Sequence, residues 1–163
     1  MNIRSIKQHN LIVIFIFGFS FLLLIYSSSQ INLTYDSEEY INAAKSLHSS
    51  GQLLTTDNQF FTNWAPLFPI ILSTFEADLG IYKYFNLFIF LLLEIGMILL
   101  IMNIIQDKLL RIICAIWLAF STPILMQFNF LWSEPLFITF LVFKILFYLK
   151  YQKTRKKGYY FIL

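Results

Sequence analysis

Long apolar runs alternate along this chain with short polar connections, and run length is the first guide to architecture. A helix rises about 1.5 Å per residue, so about 20 mostly apolar residues are needed to cross roughly 30 Å of hydrocarbon. Four runs approach that length, at about 11–29, 84–105, 109–127 and 135–150. The pattern therefore predicts four transmembrane helices. Another apolar run opens at Tyr159-Tyr160-Phe161-Ile162-Leu163 and reads as the start of a fifth, so the chain is expected to be the N-terminal part of a longer protein.

The stretch 30–80 is patterned differently. From Asp36 to Gly51, Tyr40, Ala43, Ala44 and Leu47 recur at helical spacing on one face. Asp36 followed three residues later by Glu39 has the form of a capping box, and Gly51 stands where a left-handed C-terminal residue is wanted. This helix is too polar to span and is expected to lie on the outer membrane surface, apolar face inward. The segment Asn63-Trp64-Ala65-Pro66-Leu67-Phe68-Pro69 then returns the chain to the bilayer, with Pro66 in the first turn of a short helix running to about Glu76. The fold class is thus all-α: a multi-span helical membrane protein with four transmembrane helices plus short amphipathic helices in an outer loop.

Composition supports this reading. With 58% hydrophobic and only 13% charged residues, and a mean hydropathy of +0.69, the chain cannot clothe its Phe, Ile and Leu in a charged surface, which argues against a soluble enzyme. The single cysteine, Cys114, excludes an intrachain disulfide, a CxxC redox pair and a Cys-based zinc site.

Charge orients the chain. Apart from Lys45, Lys83 and Lys144, the twelve Lys and Arg residues flank the runs on one side: Arg4 and Lys7, Lys108 and Arg111, then Lys150, Lys153, Arg155, Lys156 and Lys157. Short basic loops stay cytoplasmic. The other side carries Asp36, Glu38, Glu39, Asp57, Glu76, Asp78 and Glu134. The N terminus is therefore expected in the cytoplasm and the loop 30–80 outside, in a multi-pass protein of the plasma (inner) membrane. Arg4 and Lys7 before an apolar run ending in serines also fit a signal peptide, which leaves 30–80 outward as well. The basic stretch 150–157, directly after a span, reads as a topology anchor, so no nucleic-acid partner is expected.

The order of features resembles a known family. An outward Asp36 after the first span, an amphipathic helix, the return Trp64-Ala65-Pro66-Leu67-Phe68-Pro69 and the later Ser133-Glu134-Pro135-Leu136-Phe137 look like the N-terminal part of type-C glycosyltransferases. The likeness is to the branch of protein mannosyltransferases and lipid A aminoarabinose transferases. These multi-span enzymes move a sugar from a polyprenyl-phosphate carrier. The resemblance implies that Asp36 is catalytic and that Glu134 matches an acidic position opening the fourth span. The chain departs from the family at Ser37, where many members carry a second acid, and at Ala65, where the return motif commonly has proline.

The resemblance further implies a polyprenyl-phosphate-linked sugar as partner within the lipid bilayer, and an unidentified acceptor hydroxyl. A carboxylate at that hydroxyl is the natural general base, the role expected of Asp36. Glu38, Glu39 and Glu134 are possible second carboxylates. Tyr40 and Trp64 are expected to bind substrate, and the charge on the leaving phosphate calls for a cation, either an Arg or Lys or a divalent metal ion shared by Asp36 and Glu134.

Simpler roles stand beside each assignment. Asp36 serves equally as a helix cap, Glu38 and Glu39 as acids favoured by a helix N-terminus, Glu134 as an acid in a first turn, and Trp64 as an interface anchor. Within the second span, Glu94 costs about 3 kcal/mol on insertion scales if charged, so it is expected to be protonated or paired against other helices, with Lys144 one partner to consider. The alternative to an enzyme is a non-enzymatic multi-span accessory or scaffold protein.

Overall fold

The computed structural model describes residues 3–27, 31–75 and 78–154. Among them the chain is all-helical, with helices α1 (Ile3–Ser27), α2 (Tyr35–Ser50), α3 (Leu67–Ser73), α4 (Leu79–Ile104), α5 (Lys108–Ala119), α6 (Thr122–Phe128) and α7 (Glu134–Thr154). The expected fifth apolar run, the bases Arg155, Lys156 and Lys157, and the predicted helix end at Glu76 lie outside the described residues.

Two assemblies make up the molecule. The long helices form a bundle around α4, which packs against α1, α5, α6 and α7. One layer of its core joins Val13 and Phe17 of α1 to Ile101 of α4 and to Ala115 and Ala119 of α5. The other assembly, a cap, is α2 laid on α3, joined to the bundle through one continuous core that includes Tyr40, Ala44, Phe68, Leu72, Tyr82, Phe128 and Leu131. Tyr82 of α4 also donates its hydroxyl to the carbonyl of Leu72 at the end of α3.

The predicted runs map onto this bundle with three differences. α4 begins at Leu79 rather than near residue 84, because Asp78 caps it by accepting from the Gly80 N–H at 2.7 Å. The third run is not one helix: α5 and α6 meet at an angle of 43° across Phe120 and Ser121. Pro123, in the first turn of α6, explains the break, since proline lacks an N–H and crowds the preceding turn. Finally, by length and apolarity only α4 among the described helices qualifies singly to cross a membrane, α5 and α6 qualify together as a bent pair, and the apolar part of α1, Asn10–Tyr26, is shorter. Four separate full-length spans are not met helix by helix.

Glycine has one decisive position. A Cβ placed on Gly96 would stand 2.7 Å from Cγ1 of Val142, so α4 and α7 approach there at backbone distance. The same stretch of α4 buries Glu94 against α1. Its carboxyl is hydrogen-bonded to the Ser20 hydroxyl, which also lies 2.9 Å from the Phe17 carbonyl. The partner of Glu94 is thus a small residue of α1 rather than Lys144, whose exposed side chain lines a groove between α4 and α7.

Most charged side chains lie at the two ends of the bundle. Arg111, at the start of α5, donates to the Ile105 carbonyl that ends α4 at 2.7 Å and to Oδ1 of Asn10 on α1 at 2.8 Å. This cross-brace ties three helices together at the end that carries Lys108. The opposite end carries the cap with its acids.

Candidate functional site

The start of α2 is capped two residues earlier than its local sequence predicts. Two overlapping capping boxes are available, Thr34 with Ser37 and Asp36 with Glu39. The first is used: the N-cap is Thr34, whose side chain accepts from the Ser37 N–H while the Ser37 hydroxyl takes the Thr34 N–H at 3.0 Å. Tertiary partners decide the choice. The indole N–H of Trp132 donates to Thr34 Oγ1 at 2.8 Å, and Glu39 is drawn away to another loop. Asp36 is therefore not the cap. It sits exposed in the first turn of α2, where the helix dipole favours its charge.

Freed from capping, Asp36 is brought towards Glu134 from a connection nearly one hundred residues away. After α1 the chain pairs with the link between α6 and α7: the Asn32 N–H donates to the Asn129 carbonyl at 2.8 Å, and Leu131 N–H returns the bond to Asn32 at 3.2 Å. This isolated parallel bridge, Asn32 with Phe130, sets the starts of α2 and α7 side by side. Asn86 of α4 steadies the link from beneath, donating to the carbonyls of Phe130 at 2.8 Å and Phe128 at 3.3 Å. Neither Asn86 nor Trp132 was singled out by sequence, although a lone Asn within an apolar run is itself a signal of a buried polar bond.

Tyr40 lies where the two helix starts meet. Its hydroxyl shares a 3.1 Å hydrogen bond with that of Ser133. Burial pushes the Tyr40 phenol above its ordinary value; the Ser133 bond opposes the rise, and the negative charges of Glu134 and Asp36 add to it. Both carboxylates thus act on one hydroxyl, which keeps its proton at neutral pH. The structure brings Asp36, Tyr40, Ser133 and Glu134 together, with both acids exposed to incoming groups.

Other expected site residues are used differently. Glu39 is buried and accepts from the Thr56 hydroxyl at 2.6 Å and its N–H at 3.3 Å, pinning the 51–60 turn onto α2. Glu38 is exposed on the outer side of α2 and lines a separate cleft with Lys45. Trp64 is half-buried, stacked on Phe61 at 5.6 Å and edge-on to Tyr40 at 6.2 Å. The apolar face of α2 accordingly packs on α3 and this aromatic cluster, rather than lying free for a membrane surface as its amphipathic pattern predicted. Short α3 ends at Ser73, and Pro66 stands just before it as N-cap.

As a metal site, the arrangement offers the two carboxylates of Asp36 and Glu134. Among the described residues no three His, Cys, Asp or Glu side chains gather as a ligand set. No family model, curated protein or solved structure matches this chain.

Proposed function

We propose that this chain is part of a multi-pass membrane glycosyltransferase, with α1, α4, the bent pair α5–α6 and α7 as its four passes and the α2–α3 cap outside. In this reading a sugar leaves a polyprenyl phosphate for an acceptor hydroxyl, and Asp36 takes the acceptor proton as general base. The observation that supports it is that Asp36 and Glu134, from distant connections, both act on the Tyr40 hydroxyl, itself bonded to Ser133, at one end of an apolar bundle.

Each group has a task. Tyr40, kept protonated, orients the acceptor or a sugar hydroxyl by hydrogen bonding, and Glu134 holds a second position on the same ligand. A divalent ion bound between Asp36 and Glu134 would supply compensation for charge developing on the leaving phosphate. The basic end of the bundle faces the cytoplasm and the cap faces out.

The test is transfer from polyprenyl-phosphate sugars by membranes containing the protein at its natural full length. Asp36→Asn is expected to lower transfer about 100-fold or more, the range of a lost general base. Undiminished transfer in that variant withdraws the catalytic assignment. A second reading, a non-enzymatic scaffold, is favoured by one observation: Glu39, Tyr40 and Trp64 are all engaged in packing or in holding the cap together.

A further inference from the structure

We infer that the cleft between α2 and the start of α4 holds the headgroup of a zwitterionic phospholipid with a primary ammonium, a phosphoethanolamine lipid of the outer leaflet. The cleft measures about 260 Å³ and is lined by Leu33, Glu38, Ile41, Asn42, Lys45 and Leu79. Glu38, Ile41, Asn42 and Lys45 recur at three- and four-residue spacing and share the face of α2 opposite Asp36 and Tyr40. The cleft is therefore separate from the site of the two acids.

Spacing selects the chemistry of the occupant. Glu38 and Lys45 are seven residues apart, about 10.5 Å along the helix axis at 1.5 Å per residue. Both are exposed, and among the described residues neither side chain has a hydrogen-bond or ion-pair partner. With a charge-assisted hydrogen bond of about 2.8–3.0 Å at each end, a ligand bridging them carries opposite charges about 4–5 Å apart. The phosphate and ammonium of phosphoethanolamine stand at that separation. The charges of an α-amino acid are closer together, and a lone ion meets only one of the two side chains. Asn42 adds selectivity: its Nδ2 donates to the Thr56 hydroxyl at 2.9 Å, which leaves Oδ1 as an acceptor one turn from Glu38. A primary ammonium donates to both acceptors, whereas a quaternary ammonium has no N–H to give.

The apolar wall points to a lipid as the source of that headgroup. Leu33 lies between α1 and α2 and Leu79 begins α4, so both mark the end of the bundle that carries the cap. Both are exposed, and with Ile41 they offer hydrocarbon to the first carbons of a lipid attached to the headgroup. Charge argues against a purely anionic lipid. Lys45 is the only Lys or Arg between residues 27 and 80, amid Asp36, Glu38, Glu39, Asp57, Glu76 and Asp78, and the ammonium of a zwitterion answers Glu38 where a second anion is repelled.

The inference rests on the membrane reading of the bundle and not on glycosyl transfer. The experiment is native mass spectrometry of the detergent-purified full chain, titrated with phosphatidylethanolamine, phosphatidylcholine and phosphatidylglycerol of the same acyl chains. Phosphatidylethanolamine is expected to be retained about fivefold more tightly than either of the others. Lys45→Ala should weaken it about fivefold while Lys45→Arg preserves it, and Glu38→Gln should erase its preference over phosphatidylglycerol. Lys144→Ala, on α7, should leave the preference as it is. Equal retention of phosphatidylethanolamine and phosphatidylcholine, or an unchanged preference in both Glu38→Gln and Lys45→Ala, overturns the inference. So does displacement of the lipid by an equal concentration of soluble O-phosphoethanolamine, which would make the cleft a site for a soluble zwitterion. Alkaline carbonate extraction separates this inference from the reading beneath it: release of the chain from membranes overturns both, and retention without headgroup preference overturns this inference alone.

Discussion

The cap and the bundle are held by different physics. In the cap, directional bonds fix the geometry: Glu39 to Thr56, Tyr40 to Ser133, Trp132 to Thr34, and the reciprocal cap of α2. In the bundle, apolar contact dominates, and specificity rests on a few points: the close approach at Gly96, the Ser20–Glu94 bond and the Arg111 brace. The difference teaches where precision is kept. Apolar helix faces can slide past one another at little cost, so small residues and rare polar bonds set their register. The cap holds its acids in place through bonds whose loss leaves a buried group unpaired.

That contrast can be broken from either side. The largest effect is expected in the bundle, from Gly96→Leu. A side chain forced against buried Val142 should cost about 3 kcal/mol, read as earlier thermal unfolding in detergent. In the cap, Glu39→Ala removes a buried carboxylate that accepts two bonds. About 2 kcal/mol should be lost, and the 51–60 turn should become sensitive to limited proteolysis while the helices stay folded.

Smaller changes sharpen the comparison. Trp132→Phe keeps the ring stacked on Phe130 but deletes the donor to Thr34, for about 1 kcal/mol and a detectable increase in hydrogen exchange at the first turn of α2. The smallest effect is one of pH. Tyr40 is raised from 10.0 in the folded cap, so above pH 10 the unfolded chain releases this proton more readily than the folded one. Stability from this group is complete below pH 10 and falls as pH rises beyond it. Alkaline titration followed by tryptophan emission should show that loss, and Tyr40→Phe should lessen it.

Sequence legibility followed the same division. The helix of α2 was readable nearly to the residue, because its face, its first turn and the left-handed Gly51 at φ 73° are local features. Its cap was not: the sequence pointed to Asp36 with Glu39, whereas Thr34 with Ser37 caps the helix, held there by the indole of Trp132 far along the chain. The break between α5 and α6 was written in Pro123, yet the apolar run around it reads as a single span. Glu94 was legible as a buried anomaly. Its partner Ser20 was not, since which small residue faces it depends on helix register. Of the expected site residues, Asp36, Ser133 and Glu134 stand in motifs that the sequence shows, while Asn86 and Trp132, which hold the two links in place, emerge only when distant segments meet.

The central claim is that the link after α1 and the link before α7 lie against each other, so that Asp36 and Glu134 share one site. Disulfide formation tests it directly. In a Cys114→Ser background, the Asn32→Cys, Phe130→Cys double variant should cross-link rapidly in intact membranes, because bridged residues lie within about the 4.4–6.8 Å Cα range a disulfide needs. Formation of that bond, detected as a linked peptide pair by mass spectrometry, is the predicted result. If the two thiols stay unlinked under oxidation while each reacts freely with a small alkylating reagent, the two connections do not meet and the shared site is contradicted.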